Sequence, residues 1–65
     1  MPIYNTIKEM RQDKNMTQED LAKLVGVSRQ TVVAMEKGNY TPSLMLALQL
    51  AKIFKVAIED IFFIK

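Results

Sequence analysis

The chain has 65 residues, 49% of them apolar and 25% charged, with nine Lys and Arg against seven Asp and Glu for a net charge of +2. That length bounds one small domain over residues 1–65, with no room for a catalytic domain beside a regulatory one. Cys, His and Trp are absent and Gly26 and Gly38 are the only glycines, which excludes disulfides, thiolate nucleophiles, imidazole bases, the usual zinc ligands and a glycine-rich phosphate loop.

Ile7, Met10 and Lys14 follow the helical period, with Lys8, Glu9 and Asp13 on other faces. They predict a first helix capped by Asn5 and running to about Lys14, preceded by an extended arm, Pro2-Ile3-Tyr4. Thr17-Gln18-Glu19-Asp20 has the Ser/Thr-x-x-acid form of a capping box and opens a second helix. Leu21, Leu24 and Val25 are its expected apolar stripe, and Gly26 stops it by accepting a left-handed conformation at little cost. Ser28 caps a third helix, about Arg29 to Lys37, which buries Val32 and Met35 and ends at Gly38. Thr41-Pro42 reads as N-cap and first-position proline of a fourth helix over about 42–54. Its expected inward stripe is Leu44, Ala47, Leu48 and Ala51. A short fifth helix, about 58–62, carries Ile58, Ile61 and Phe62 behind a poor cap, Ala57. Phe63-Ile64-Lys65 remains as an apolar tail that either closes the core or meets a partner. The five Met residues read as gap-filling core. The fold class is therefore all-α with five helices, and the arm is expected to pair with the tail around Phe63 as a short two-stranded ribbon.

Function concentrates in residues 17–37. Leu21, Val25, Val27, Val32 and Met35 are apolar where two crossed helices face a common core. Ala22 is small where they approach, and Gly26 sits at the turn. This is the spacing of a DNA-binding helix-turn-helix. The opposite face of the third helix carries Arg29, Gln30, Val33 and Ala34. Arg pairs bidentately with guanine and Gln with adenine, so Arg29 and Gln30 are the expected base readers. Val33 and Ala34 either meet thymine methyls or mean that few bases are read.

The sequence resembles the Cro/C1-type helix-turn-helix regulators, the XRE family. The resemblance rests on Thr17-Gln18-Glu19-Asp20-Leu21-Ala22, Val25-Gly26-Val27-Ser28-Arg29-Gln30-Thr31-Val32, Met35-Glu36-Lys37-Gly38 and Pro42-Ser43-Leu44. It continues through Ala47-Leu48 and Ala51 to Ile58-Glu59-Asp60-Ile61-Phe62. It implies a five-helix domain that binds double-stranded operator DNA as a homodimer and controls transcription without a cofactor, as a repressor. It implies that Gln18 contacts phosphate and steadies the first residue of the third helix. Ser28, Thr31, Lys37, Asn39 and Tyr40 are the other expected phosphate contacts. It also implies an ion pair between Arg11 and Glu36, either partly buried or on the rim.

The dimer surface is expected in the C-terminal third, at Ile53, Phe54, Val56, Phe63 and Ile64, which are more apolar than closing so small a core requires. A competing reading is a protein-interaction module of antitoxin or anti-repressor type. The polar face at Arg29, Gln30 and Gln18 favours DNA, while Val33 and Ala34 keep the other reading open. An enzyme is disfavoured because no nucleophile–base pair can be assembled. Glu59-Asp60 reads as helix-start acids favoured by the dipole, not as a metal site. No small-molecule site is legible. The longest apolar run, Leu44 to Leu48, is far short of a bilayer span, and Met-Pro-Ile-Tyr-Asn is not a signal peptide, so the cytoplasm is the expected location.

Overall fold

The computed structural model describes residues 3–64. In chain order the elements are β1 (Ile3–Asn5), α1 (Ile7–Asp13), α2 (Gln18–Val25), α3 (Arg29–Glu36), α4 (Leu44–Phe54), α5 (Ile58–Ile61) and β2 (Phe62–Ile64). Ile7, Leu21, Val32, Met35, Leu50 and Ile61 are fully buried, so α1 to α5 each give at least one side chain to a single core. No helix among the described residues is long and apolar enough to cross a membrane.

The two chain ends meet. β1 and β2 pair antiparallel in the register Ile3 with Ile64, Tyr4 with Phe63 and Asn5 with Phe62. The Tyr4 and Phe63 rings stack with centroids 6.1 Å apart. A two-stranded ribbon is marginal alone. Here the Thr6 N–H donates to the Ile61 carbonyl at 2.9 Å, the Thr6 hydroxyl donates to the Asp60 carbonyl at 3.0 Å, and Phe62 packs against the core. Pro2 of the expected arm and Lys65 of the expected tail lie outside the described residues, as does Met1.

Several boundaries and faces differ from expectation. Asn5 is not the cap of α1: Thr6 takes that position without a side-chain cap bond, and Asn5 ends β1. The helix stops at Asp13, and its buried residues are Ile7 and Arg11. On α2 the buried set is Leu21, Ala22 and Val25, whereas Leu24 is 60% exposed. Ser43, not Thr41, caps α4, its hydroxyl accepting the Leu46 N–H at 3.1 Å. Pro42 therefore sits outside the helix. The α4 stripe is rotated accordingly: Leu46, Ala47, Leu50, Ala51 and Phe54 are buried, and Leu44 and Leu48 face outward. Phe54, expected on a dimer surface, belongs to the monomer core because it lies on that stripe. Phe62 leaves α5 and enters β2. Of the methionines described, Met35 is core, Met10 and Met16 pack against it, and Met45 is exposed.

Lys55 caps α4 in the left-handed region at φ 57°, a conformation that costs a side-chain-bearing residue about 1–2 kcal/mol. Glycine would remove that cost while adding about 0.4–1 kcal/mol of unfolded-state entropy. Lys55→Gly is therefore expected to stabilise the fold by about 0.5–1 kcal/mol. A thermal midpoint at or below that of the wild type would contradict the assignment.

Candidate nucleic-acid interface

Two capped helices and a glycine turn build the motif. The Thr17 hydroxyl accepts the Asp20 N–H at 3.0 Å and the Asp20 carboxylate accepts the Thr17 N–H at 2.9 Å. The Thr17 backbone bond, with its hydroxyl second, holds the Asp20 carboxyl below the usual aspartate value. Gly26 ends α2 at φ 73°, and its N–H closes on the Ala22 carbonyl. After Val27, the Ser28 hydroxyl accepts the Thr31 N–H at 3.1 Å and starts α3. Leu21, Ala22, Val25, Val32 and Met35 are buried between the two helices and the rest of the core.

With Val32 and Met35 inside, helical spacing turns Gln30, Val33 and Ala34 away from the core and leaves Arg29 at its edge in the first turn of α3. Arg29 and Gln30 are exposed, and Val33 and Ala34 are half-buried. Among the described residues neither the Arg29 nor the Gln30 side chain has a hydrogen-bond or ion-pair partner. Lys37, Asn39 and Tyr40 follow α3 and are exposed. The Ser28 and Thr31 hydroxyls lie 3.0 Å apart and bond each other. Gln18 does not reach Arg29: its Nε2 donates to Glu36 Oε1 at 3.2 Å, at the far end of α3.

The helix-turn-helix family HTH_3 matches residues 7–61. The chain belongs to that family. An uncharacterised HTH-type transcriptional regulator of Methanocaldococcus jannaschii is 62% identical over 60 residues, covering 92% of this chain and 91% of its own. The Vibrio cholerae cryptic phage CTXphi transcriptional repressor RstR is 34% identical over 55 residues, 85% of this chain and 50% of its own. The restriction-modification controller protein C.AhdI of Aeromonas hydrophila superposes with a TM-score of 0.74 at 33% identity, covering 83% of this chain and 82% of that one. The HTH_3 match and these relatives make the chain a DNA-binding regulator of a non-enzymatic class.

The last residue of α3 in this HTH_3 domain, Glu36, belongs to a buried ion pair. Arg11 Nε donates to Glu36 Oε2 at 2.7 Å and Arg11 Nη2 donates to Glu36 Oε1 at 3.2 Å. Arg11 Nη1 donates to the Met16 carbonyl at 2.7 Å. The side chains expose 10% and 5% of their surface, so this is a buried pair and not a rim contact. The hydrogen bond to Glu36 raises the Arg11 pKa further against the opposing effect of burial, keeping the guanidinium charged.

The Met16 carbonyl and the Gln18–Glu36 bond are parts of this network that residue patterns do not announce. Arg11→Ala strands the Glu36 carboxylate and is expected to cost about 3–5 kcal/mol. That is on the scale of the whole stability of so short a chain, about 3–10 kcal/mol. The double variant Arg11→Met with Glu36→Leu is expected to recover most of the loss. Urea unfolding of the full mutant cycle checks this, and a coupling energy near zero would refute it.

Proposed function

We propose that the chain is a sequence-specific transcriptional repressor acting in the cytoplasm, with α3 in the major groove of a palindromic operator. The observation that carries the reading is the pair Arg29 and Gln30, exposed in the first turn of α3 and without a partner among the described residues. Arg29 reads guanine and Gln30 adenine, with Val33 and Ala34 against thymine methyls. Gln18, Ser28, Thr31, Lys37, Asn39 and Tyr40 meet the phosphates on either side of the groove. Repression is supported by the name of the V. cholerae relative. Selection from random duplex DNA supplies the operator. Arg29→Ala is then expected to cost about 1–3 kcal/mol and to relax one base position. Lys37→Ala is expected to weaken all sequences alike and to lower the salt slope by about one. Wild-type binding and preference in Arg29→Ala would reject the groove reading.

The protein binds as a two-fold homodimer. Its longest dimension is 29 Å, whereas successive major grooves on one side of a duplex are about 34–36 Å apart, so one copy reads one half-site. Of the residues expected at the interface, Phe54 is core, Ile53, Val56 and Phe63 are half-buried, and Ile64 is exposed. Burial favours a neighbouring face. Leu44 and Met45 are each 72% exposed and Leu48 53%, all on one side of α4. Leu44 borders an apolar groove of about 300 Å³ with Ile3, Ile58 and Phe62. Burying such side chains is worth about 1.5–3 kcal/mol each. Leu44→Glu with Leu48→Glu is expected to yield a folded monomer with weakened operator binding, read by sedimentation and titration. Unchanged association and affinity would exclude this face.

A further inference from the structure

Asn5, the last residue of β1, makes two bonds in opposite directions. Its Oδ1 accepts the Ile7 N–H at 3.2 Å and so turns the chain from the ribbon into α1. Its Nδ2 donates to the Met35 carbonyl at 2.8 Å, 30 residues away. That carbonyl lies in the last turn of α3, where helix carbonyls lack donors from the helix itself. It also accepts the Gly38 N–H at 3.0 Å. No basic side chain stands in the last turn of α3, so the Asn5 amide is the side-chain donor that reaches this carbonyl. From here Gly38 takes φ 82° and the Asn39 N–H closes on the Ala34 carbonyl at 2.9 Å. Those bonds set the course of the turn that carries Lys37, Asn39 and Tyr40.

Glu36 fixes the side-chain side of this helix end through Arg11, and Asn5 fixes the backbone side from the ribbon. We propose that Asn5 is a positioning residue for DNA recognition: its amide holds the C-terminal end of α3 and the phosphate-facing turn 37–40 in the pose that DNA requires. The inference rests on the groove reading above. Because Asn5 pairs with Phe62, the ribbon of the two chain ends is part of the binding machinery without touching DNA.

Asn5→Ser separates the two bonds. Serine can still accept the Ile7 N–H in the same kind of turn but is too short to reach Met35, and it adds no charge. Thr6→Val is the control, since it removes the ribbon's bond to Asp60 and leaves Met35 alone. Asn5→Ser is expected to bind the selected operator about tenfold more weakly, a usual size for coupling between sites. Its salt slope should fall by about one as phosphate contacts from the turn are lost. The preference among bases should be unchanged, and backbone amide shifts should concentrate at residues 35–40. Thr6→Val should keep wild-type affinity. Equal weakening in both variants would show that the ribbon acts only through stability and would overturn the proposal. Wild-type affinity in Asn5→Ser, with Arg29→Ala still impaired, would overturn it alone; wild-type binding and preference in Arg29→Ala would remove the groove reading and this proposal together. Should Asn5→Ser fail to fold, Asn5→Asp keeps the acceptor without the donor, and wild-type affinity there would be equally fatal.

Discussion

A guanidinium and a carboxylate buried side by side hold α3 of this protein to its body. Apolar burial is non-directional, whereas hydrogen bonds between charged groups fix direction as well as distance. A forked Arg–carboxylate pair makes two such bonds. Arg11 projects from α1, reaches Glu36 at the end of α3 and takes the Met16 carbonyl between α1 and α2. Gln18, at the start of α2, closes on the same carboxylate. Four segments thus share one network, and a rotation of α3 that would redirect Arg29 and Gln30 would also break buried charged bonds. Such a pair is weak evidence for net stability. Its evident consequence here is to tie the end of α3 to α1, to the 14–17 connection and to the start of α2.

The helix-turn-helix was legible because local chemistry and packing agree there. The Thr17 and Ser28 caps, the Gly26 stop and the apolar spacing from Leu21 to Met35 all point to one arrangement. α4 was not legible in the same way. Leu44-Met45-Leu46-Ala47-Leu48 is apolar on every side, so periodicity alone allows two inward stripes. Thr41 and Ser43 are both acceptable caps, and choosing Thr41 starts the helix too early. Gln49 and Lys52 carried the missing signal: they share a helical face with Met45 and Leu48 and mark it as outward. Leu24 departs from its expected place for a related reason: Ala22, with the smaller side chain, takes the position against the core. Asn5 was visible as a helix-start residue, but its long-range bond to Met35 depends on the ribbon bringing the N-terminus against α3, which no local pattern encodes.

The outward apolar residues of α4 bear on function through size. A domain this small gains little by leaving Leu44, Met45 and Leu48 in water, and such patches on monomers mark interaction sites more often than accidents. The modest net charge points the same way. With an excess of +2 spread over the whole chain, a single copy has little non-specific attraction to a polyanion. Affinity then has to come from specific contacts, which the proposed second copy would make twice.

The division of labour within α3 follows from its length. Eight residues are too few to hold a helix in water by propensity, so its order is imposed from outside. Ser28 caps one end, Glu36 and the Met35 carbonyl are held at the other by Arg11 and Asn5, and Val32 and Met35 anchor the inner side. Val32, Met35 and the Arg11–Glu36 pair are buried and cannot also face a groove. Arg29 and Gln30 are left with no structural task, so their identities can be changed with little effect on the fold. Val33 and Ala34, half-buried between the two sets, are the positions where a change of specificity would begin to disturb packing. A short helix held at both ends by neighbouring elements, the β1–β2 ribbon included, is free to vary the residues it exposes.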